Sequence, residues 1–402
     1  MSHSVTRFKG LTSMTLATAF FADIKCINWG LVKGGFVSEG ILGLLYIGTI
    51  GVLLILALLY NRRSMSRLIS YPLLLSLILV IFYQFTLLFD GKPSVSIDFF
   101  FVFTIAAILI PQIMQVDAKL FVLAIMFFPS FSIFRIDLIF QSYLDWMNVI
   151  SMDASYGYLV PIVANIVYLF EYFSSDSLKR KVLVTIISII NLIIFIQLFL
   201  FGSRGPLLAI FLLVAFLWTT KINNNKVVFH KRRIKFLFLM ILILIISFQP
   251  MLLVLNDYLS DKGISVYAIE KIINLSQEGD ISNGRRGLNE ISLSGFLDSP
   301  LWGNGIARFY EKSKSSLEYP HNFILQLLYD GGIILFSLVL IPAIRRLKAL
   351  TNSCSHDRYV IFCTLFFASV PGALLSQDMW NIPVLWLCWG FLMSNTFVHE
   401  YE

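Results

Sequence analysis

Charge is scarce in this 402-residue chain: only 14% of its residues are Asp, Glu, Lys or Arg, about half the share of an ordinary soluble domain. That scarcity excludes a soluble globular enzyme, a disordered chain and a nucleic-acid binder, the net charge of +7 notwithstanding. Cysteine is sparse too. Cys26, Cys354, Cys363 and Cys388 stand at spacings that suggest neither a disulfide framework nor a metal site. A Walker-type phosphate loop, an HExxH helix and a GxSxG elbow are all missing, as are internal repeats and low-complexity tracts. What fills the chain instead is apolar: 57% of residues are hydrophobic and the mean hydropathy is +0.80.

A membrane-spanning helix needs about 20 mostly apolar residues. Such runs fall near 11–31, 40–60, 68–89, 97–116, 119–135, 156–173, 182–201, 205–220, 236–255, 322–344, 359–377 and 379–398. The expected fold is all-α, a polytopic bundle of about 12 transmembrane helices. Residues 1–22 imitate a signal peptide, but no small-x-small cleavage site follows, so they read as an uncleaved first helix. Nineteen of the 31 Lys and Arg fall on one set of alternate loops, including Arg62, Arg63, Lys179, Arg180, Lys231, Arg232, Arg345 and Arg346. The positive-inside rule makes that face cytoplasmic, with both termini inside. Spans one to nine then occupy 1–255, a long periplasmic loop occupies 256–320, and the last three spans occupy 321–402. Within the loop, 266–275 and 289–297 are helix-compatible. A loop of this size with its own apolar pattern usually carries function.

Histidine is the natural proton acceptor near neutral pH. Of five histidines, His3, His230, His356 and His399 map to the cytoplasmic side, and His321 alone lies outside, where the loop re-enters the membrane in YPHNFILQLLYDGG. Pro320 suits a helix start and places His321 there. Arg204, in FGSRGP, stands between two apolar runs, where a guanidinium is costly without a partner. Gly202, Gly205 and Pro206 interrupt the helix, and the amides at the next helix start suit an anion. Arg285 and Arg286, in SNGRRGLNEISLSGFLDSPLWGNG, can fork onto phosphate oxygens. Each has a plain structural reading alone: an interfacial polar residue, a snorkelling Arg, a solvated charge pair. Their convergence on one membrane face favours a site. Asp257 and Asp261 read as a solvated face, and Asp330 falls on the helix face opposite His321, in a structural role.

The same strings carry a resemblance. FGSRGPLLAIFLLVAF, NGRRGLNEISLSGFLDSPLWGNG and PHNFILQLLYDGGI resemble, in order, the arginine, Gly-Arg and His-Asn motifs of the O-antigen polymerase and ligase superfamily. The resemblance covers roughly residues 200–344; the first 180 match only in hydropathy. It implies a GT-C-like membrane glycosyltransferase of the bacterial inner membrane, acting in lipopolysaccharide or related surface-polysaccharide biosynthesis without metal or cofactor. It also implies that Arg204 and Arg285, with Arg286 sharing or replacing that role, bind the pyrophosphate of an undecaprenyl-linked oligosaccharide. His321 would activate the acceptor hydroxyl, and a chain-length regulator would be a partner. The long loop has no basic surplus for a phosphate-rich lipid A core, which favours a polymerase over a ligase. A lipid-linked oligosaccharide flippase is the reading from another class. It fits less well, because no repeat is visible and the polar residues gather at one face rather than the midplane.

Overall fold

The computed structural model describes residues 71–88, 93–97, 100–114, 116–127, 152–262, 285–313 and 319–394, with isolated positions between 12 and 52 and at 269 and 273. Most of the first two expected spans, of the signal-peptide-like start and of the 266–275 segment lies outside the described residues, as does the end of the fifth span.

The first described helix is α1 (Tyr71–Leu88). A π-helical turn (Phe100–Ile105) runs into α2 (Ala106–Ile113), and α3 (Ala118–Phe127), α4 (Met152–Glu171), α5 (Leu178–Phe201) and α6 (Arg204–Thr219) follow. A hairpin of β1 (Thr220–Asn223) and β2 (Lys226–Phe229) leads to α7 (Lys231–Asp261). Helices α8 (Arg285–Asp298) and α9 (Phe309–Ser313) lie in the long loop; α10 (Phe323–Asn352), α11 (His356–Leu375) and α12 (Pro383–Met393) close the described chain. Among the described residues, α1, most of α5, α10 and α11 are long and apolar enough to cross a membrane, and α2, α3, α6 and α12 mark shorter apolar helices.

These runs become helices because lipid offers the backbone no hydrogen bonds, so each apolar stretch must satisfy its own amides. The burial pattern suits that solvent. On α5 the outward side chains are large and apolar, Val182, Ile186 and Ile189 being 54%, 54% and 55% exposed, whereas Asn191 is buried. Polar groups point inward elsewhere too. Gln112 donates to the carbonyl of Gly390 at 2.8 Å, tying α2 to α12, and Ser188 donates to Asn165 at 2.8 Å, tying α5 to α4. The protein is a multi-pass membrane protein.

The helices alternate between two ends of the bundle. At one end Glu171 meets His356 at 2.9 Å, Thr220 meets Tyr359 at 2.8 Å, and the Cys354 amide donates to Asn225 at 2.7 Å. The hairpin sits here, in antiparallel register from Thr220 opposite Phe229 to Asn223 opposite Lys226. Asn224 and Asn225 take φ of 49° and 54°, a left-handed turn that asparagine tolerates better than most residues. Where the sequence suggests only a basic loop, this hairpin is an addition. The start of α4, the junction of α5 with α6, the start of α10 and the end of α11 gather at the opposite end.

Helix α10 is broken. Gly332 has φ 61° and ψ −162°, and the segment 299–307 docks into the break. The amides of Asn304 and Gly305 donate to the carbonyls of Tyr329 and Asp330 at 2.7 and 2.9 Å, and the amide of Ile333 donates to Pro300 at 2.9 Å. A side chain on Gly332 would run into the carbonyl of Leu301. Asp330, fully buried, accepts from the Trp380 indole at 2.6 Å, the structural role expected of it.

Candidate functional site

Each motif presents its polar residue at an element boundary. Helix α5 ends at Phe201 and Ser203 is extended (φ −75°, ψ 155°), so α6 starts at Arg204. The Ser203 amide donates to the hydroxyl of Ser155 on α4 at 3.2 Å, which holds this junction against the start of α4. One residue on, Gly205 is required by space: a β-carbon there would strike the hydroxyl of Tyr156 and stand 3.6 Å from the hydroxyl of Ser376.

His321 stands two residues before its helix, not within it. Asn322 is the N-cap of α10, its side-chain oxygen accepting from the amides of Ile324 at 3.0 Å and Leu325 at 3.3 Å. His321 itself has φ 58°, a left-handed conformation that costs a non-glycine residue about 1–3 kcal/mol and persists only where the surroundings enforce it. Pro320 therefore precedes the cap rather than opening the helix. The enforcing contacts are on Ser376, the residue that ends α11. Its carbonyl accepts from His321 Nδ1 at 2.8 Å and from the Tyr319 hydroxyl at 3.2 Å. The Tyr319 and His321 rings also meet edge to face at 4.4 Å. Burial holds the His321 imidazole below the usual histidine range; the Ser376 carbonyl opposes that, and the nearby Arg285 charge reinforces it.

Arg285 opens α8, and its Nη2 donates to the Ser376 hydroxyl at 3.2 Å. Tyr156, 3% exposed, presents its hydroxyl to the same serine and to the field of Arg285. Arg204, Arg285 and His321 are thus brought to one end of the bundle, and the last two share a residue. Arg286 is not brought in. It turns to solvent, its side chain 86% exposed, and pairs with Glu290 one turn on at 3.2 Å. Among the described residues, no three His, Cys, Asp or Glu side chains group as they would around a metal.

Residues 189–340 match the family model described as O-antigen ligase. The match covers less than half of the chain. Arg204, Arg285 and His321 fall within the matched segment, and the match supports the O-antigen polymerase and ligase superfamily that the motifs resemble. Comparison with curated proteins finds no match.

Two residues at the site escape both the family segment and the reading of the sequence: Tyr156 lies before it and Ser376 after it. Serine and tyrosine in apolar helices are too common to stand out. The available signal was ALLSQDMWN, a polar break between two apolar runs on the same membrane face as His321.

Proposed function

We propose that the protein is a membrane glycosyltransferase of the GT-C-like kind, an O-antigen or related surface-polysaccharide polymerase. It moves a glycan from undecaprenyl pyrophosphate to a sugar hydroxyl of another lipid-linked repeat, at the periplasmic face of the inner membrane. The observation that supports this reading is the meeting of Arg285 and His321 on Ser376, within reach of the Arg204 helix start, in a chain with an O-antigen ligase family segment.

The chemistry asks little of an acid. Pyrophosphate leaves readily, and the need is to offset the negative charge that grows on its oxygen as the anomeric C–O bond breaks. Arg204 and Arg285 supply fixed positive charge where water is partly excluded; one such preorganised donor is worth about 3 kcal/mol. His321, kept neutral by burial and by Arg285, takes the proton of the attacking hydroxyl as the new glycosidic bond forms. Attack opposite the leaving pyrophosphate inverts the anomeric carbon. No metal or cofactor takes part, and Arg286 is left outside the machinery.

The description of the matching family favours a second reading, ligation of the glycan to the lipid A core. The two share every step but the acceptor. Purified protein given lipid-linked repeats in detergent should lengthen them, and His321→Ala should not. A deletion strain then separates the readings: a core capped by one repeat marks loss of a polymerase, a bare core loss of a ligase. Vectorial movement of the lipid without a new glycosidic bond would overturn both.

A further inference from the structure

Ser376 touches both charged groups through different atoms. Its carbonyl oxygen carries no proton and can only accept, so the nitrogen 2.8 Å away, His321 Nδ1, must be the donor. A neutral imidazole with its proton on Nδ1 has its lone pair on Nε2. The hydroxyl of the same serine accepts from Arg285 at 3.2 Å. Ser376 is 3% exposed, and its own amide is fastened to the carbonyl of Gly372 at 2.8 Å. The next polar residues are anchored as well: Asp378 accepts from Gln326 of α10 at 2.5 Å, and the Met379 amide donates to Gln326 at 3.1 Å. The serine is therefore fixed relative to the start of α10, which is where His321 is strained into φ 58°.

We propose that Ser376 is the positioning residue of this site. Its carbonyl latches His321 in the Nδ1–H tautomer, so that Nε2 is the proton acceptor, and its hydroxyl aims the Arg285 guanidinium. Tyr319 sharpens the latch by donating to the same carbonyl and closing over the imidazole edge. Base and cation are thus set by one residue rather than independently. The role in turnover rests on the glycan-transfer reading above, whereas the tautomer and the Arg285 contact do not.

Two measurements test it. In full-length protein labelled with 15N-histidine, the His321 signals, identified by their loss in His321→Gln, should show a neutral ring protonated on Nδ1 above its titration. Free neutral histidine favours the opposite tautomer, so the Nε2–H form would overturn the latch. This readout needs no substrate. Protein that shows the Nδ1–H form yet never lengthens lipid-linked repeats overturns the proposed function and leaves the latch standing.

The second measurement is steady-state kinetics. Ser376→Ala keeps the carbonyl and removes the hydroxyl. Donor KM should rise about tenfold, the size expected for one hydrogen bond to a charged group, with kcat changed less than about threefold and the tautomer unchanged. Ser376→Thr, which restores a hydroxyl, should bring KM back to within about threefold of wild type. Unchanged donor KM in Ser376→Ala, or equal losses in the Ala and Thr variants, would overturn the Arg285 half of the proposal. If Ser376→Ala fails to fold, the wild-type tautomer still decides the His321 half, and Ser376→Thr against Ser376→Cys decides the other, since a thiol is a poor acceptor for a guanidinium.

Discussion

Arg285 and His321 stand on the same serine, and the positive charge of the first disfavours protonation of the second. Burial is the larger cause, and the Ser376 carbonyl works against both. A base works only when deprotonated, so the transfer rate should rise with pH through an inflection below about 6.5, the ordinary histidine value. Removing the charge makes protonation easier. Arg285→Gln should therefore move the inflection of its residual kcat/KM to higher pH, and an inflection that stays in place would remove the electrostatic link.

Arg204→Ala and Arg285→Ala should each lower the transfer rate by about two to three orders of magnitude, following the worth of one preorganised donor, while the protein still inserts in the membrane. Arg286→Ala should stay within about threefold of wild type, because its side chain is 86% exposed and its ion pair with Glu290 lies in solvent. In vitro polymer yield with matched protein amounts checks all three. Full activity of the first two would end the pyrophosphate-clamp idea.

At Gly205 the obstacle is the Tyr156 hydroxyl. Gly205→Ala should cost about 1–3 kcal/mol, the usual range for overpacking a tight site. Adding Tyr156→Phe removes the oxygen that the new methyl meets and should recover part of the loss. Thermal unfolding in detergent of the single and double variants gives the coupling; additive effects would mean that the two residues do not touch.

Gly332 is needed for conformation and for space. With φ 61° and the Leu301 carbonyl where a β-carbon would go, Gly332→Ala should lower the melting temperature. It should also expose the 299–307 segment to protease, since that segment is held through the amide of the next residue, Ile333. An unchanged cleavage pattern would show that the helix break does not anchor the segment.

The helices were legible because lipid leaves an apolar run little choice. The run expected at 182–201 is α5 (Leu178–Phe201), and that at 205–220 is α6 (Arg204–Thr219). The 289–297 stretch in the loop lies within α8. Hidden from the sequence were features made by tertiary contact. The left-handed His321 follows from Ser376, far along the chain, and its two-residue offset from α10 follows from Asn322, the better cap. Separating Arg285 from Arg286 needed the helix they share, since adjacent residues point to different sides. The hairpin had a local signal, the turn-forming asparagines Asn223, Asn224 and Asn225 between two short stretches, but the basic residues around it, Lys221, Lys226 and Lys231–Arg233, mask it.

The break in α10 makes the 299–307 segment and the long apolar helix one mechanical part. Backbone amides of 304 and 305 replace bonds that an unbroken helix would make with itself, so each piece completes the other's backbone. Chimeras between relatives that exchange 299–307 alone would leave the carbonyls of Tyr329 and Asp330 unmatched at the helix break. Exchanging the loop together with the first turns of the helix keeps the interlock, and grafts of substrate preference among these proteins should be cut at that seam.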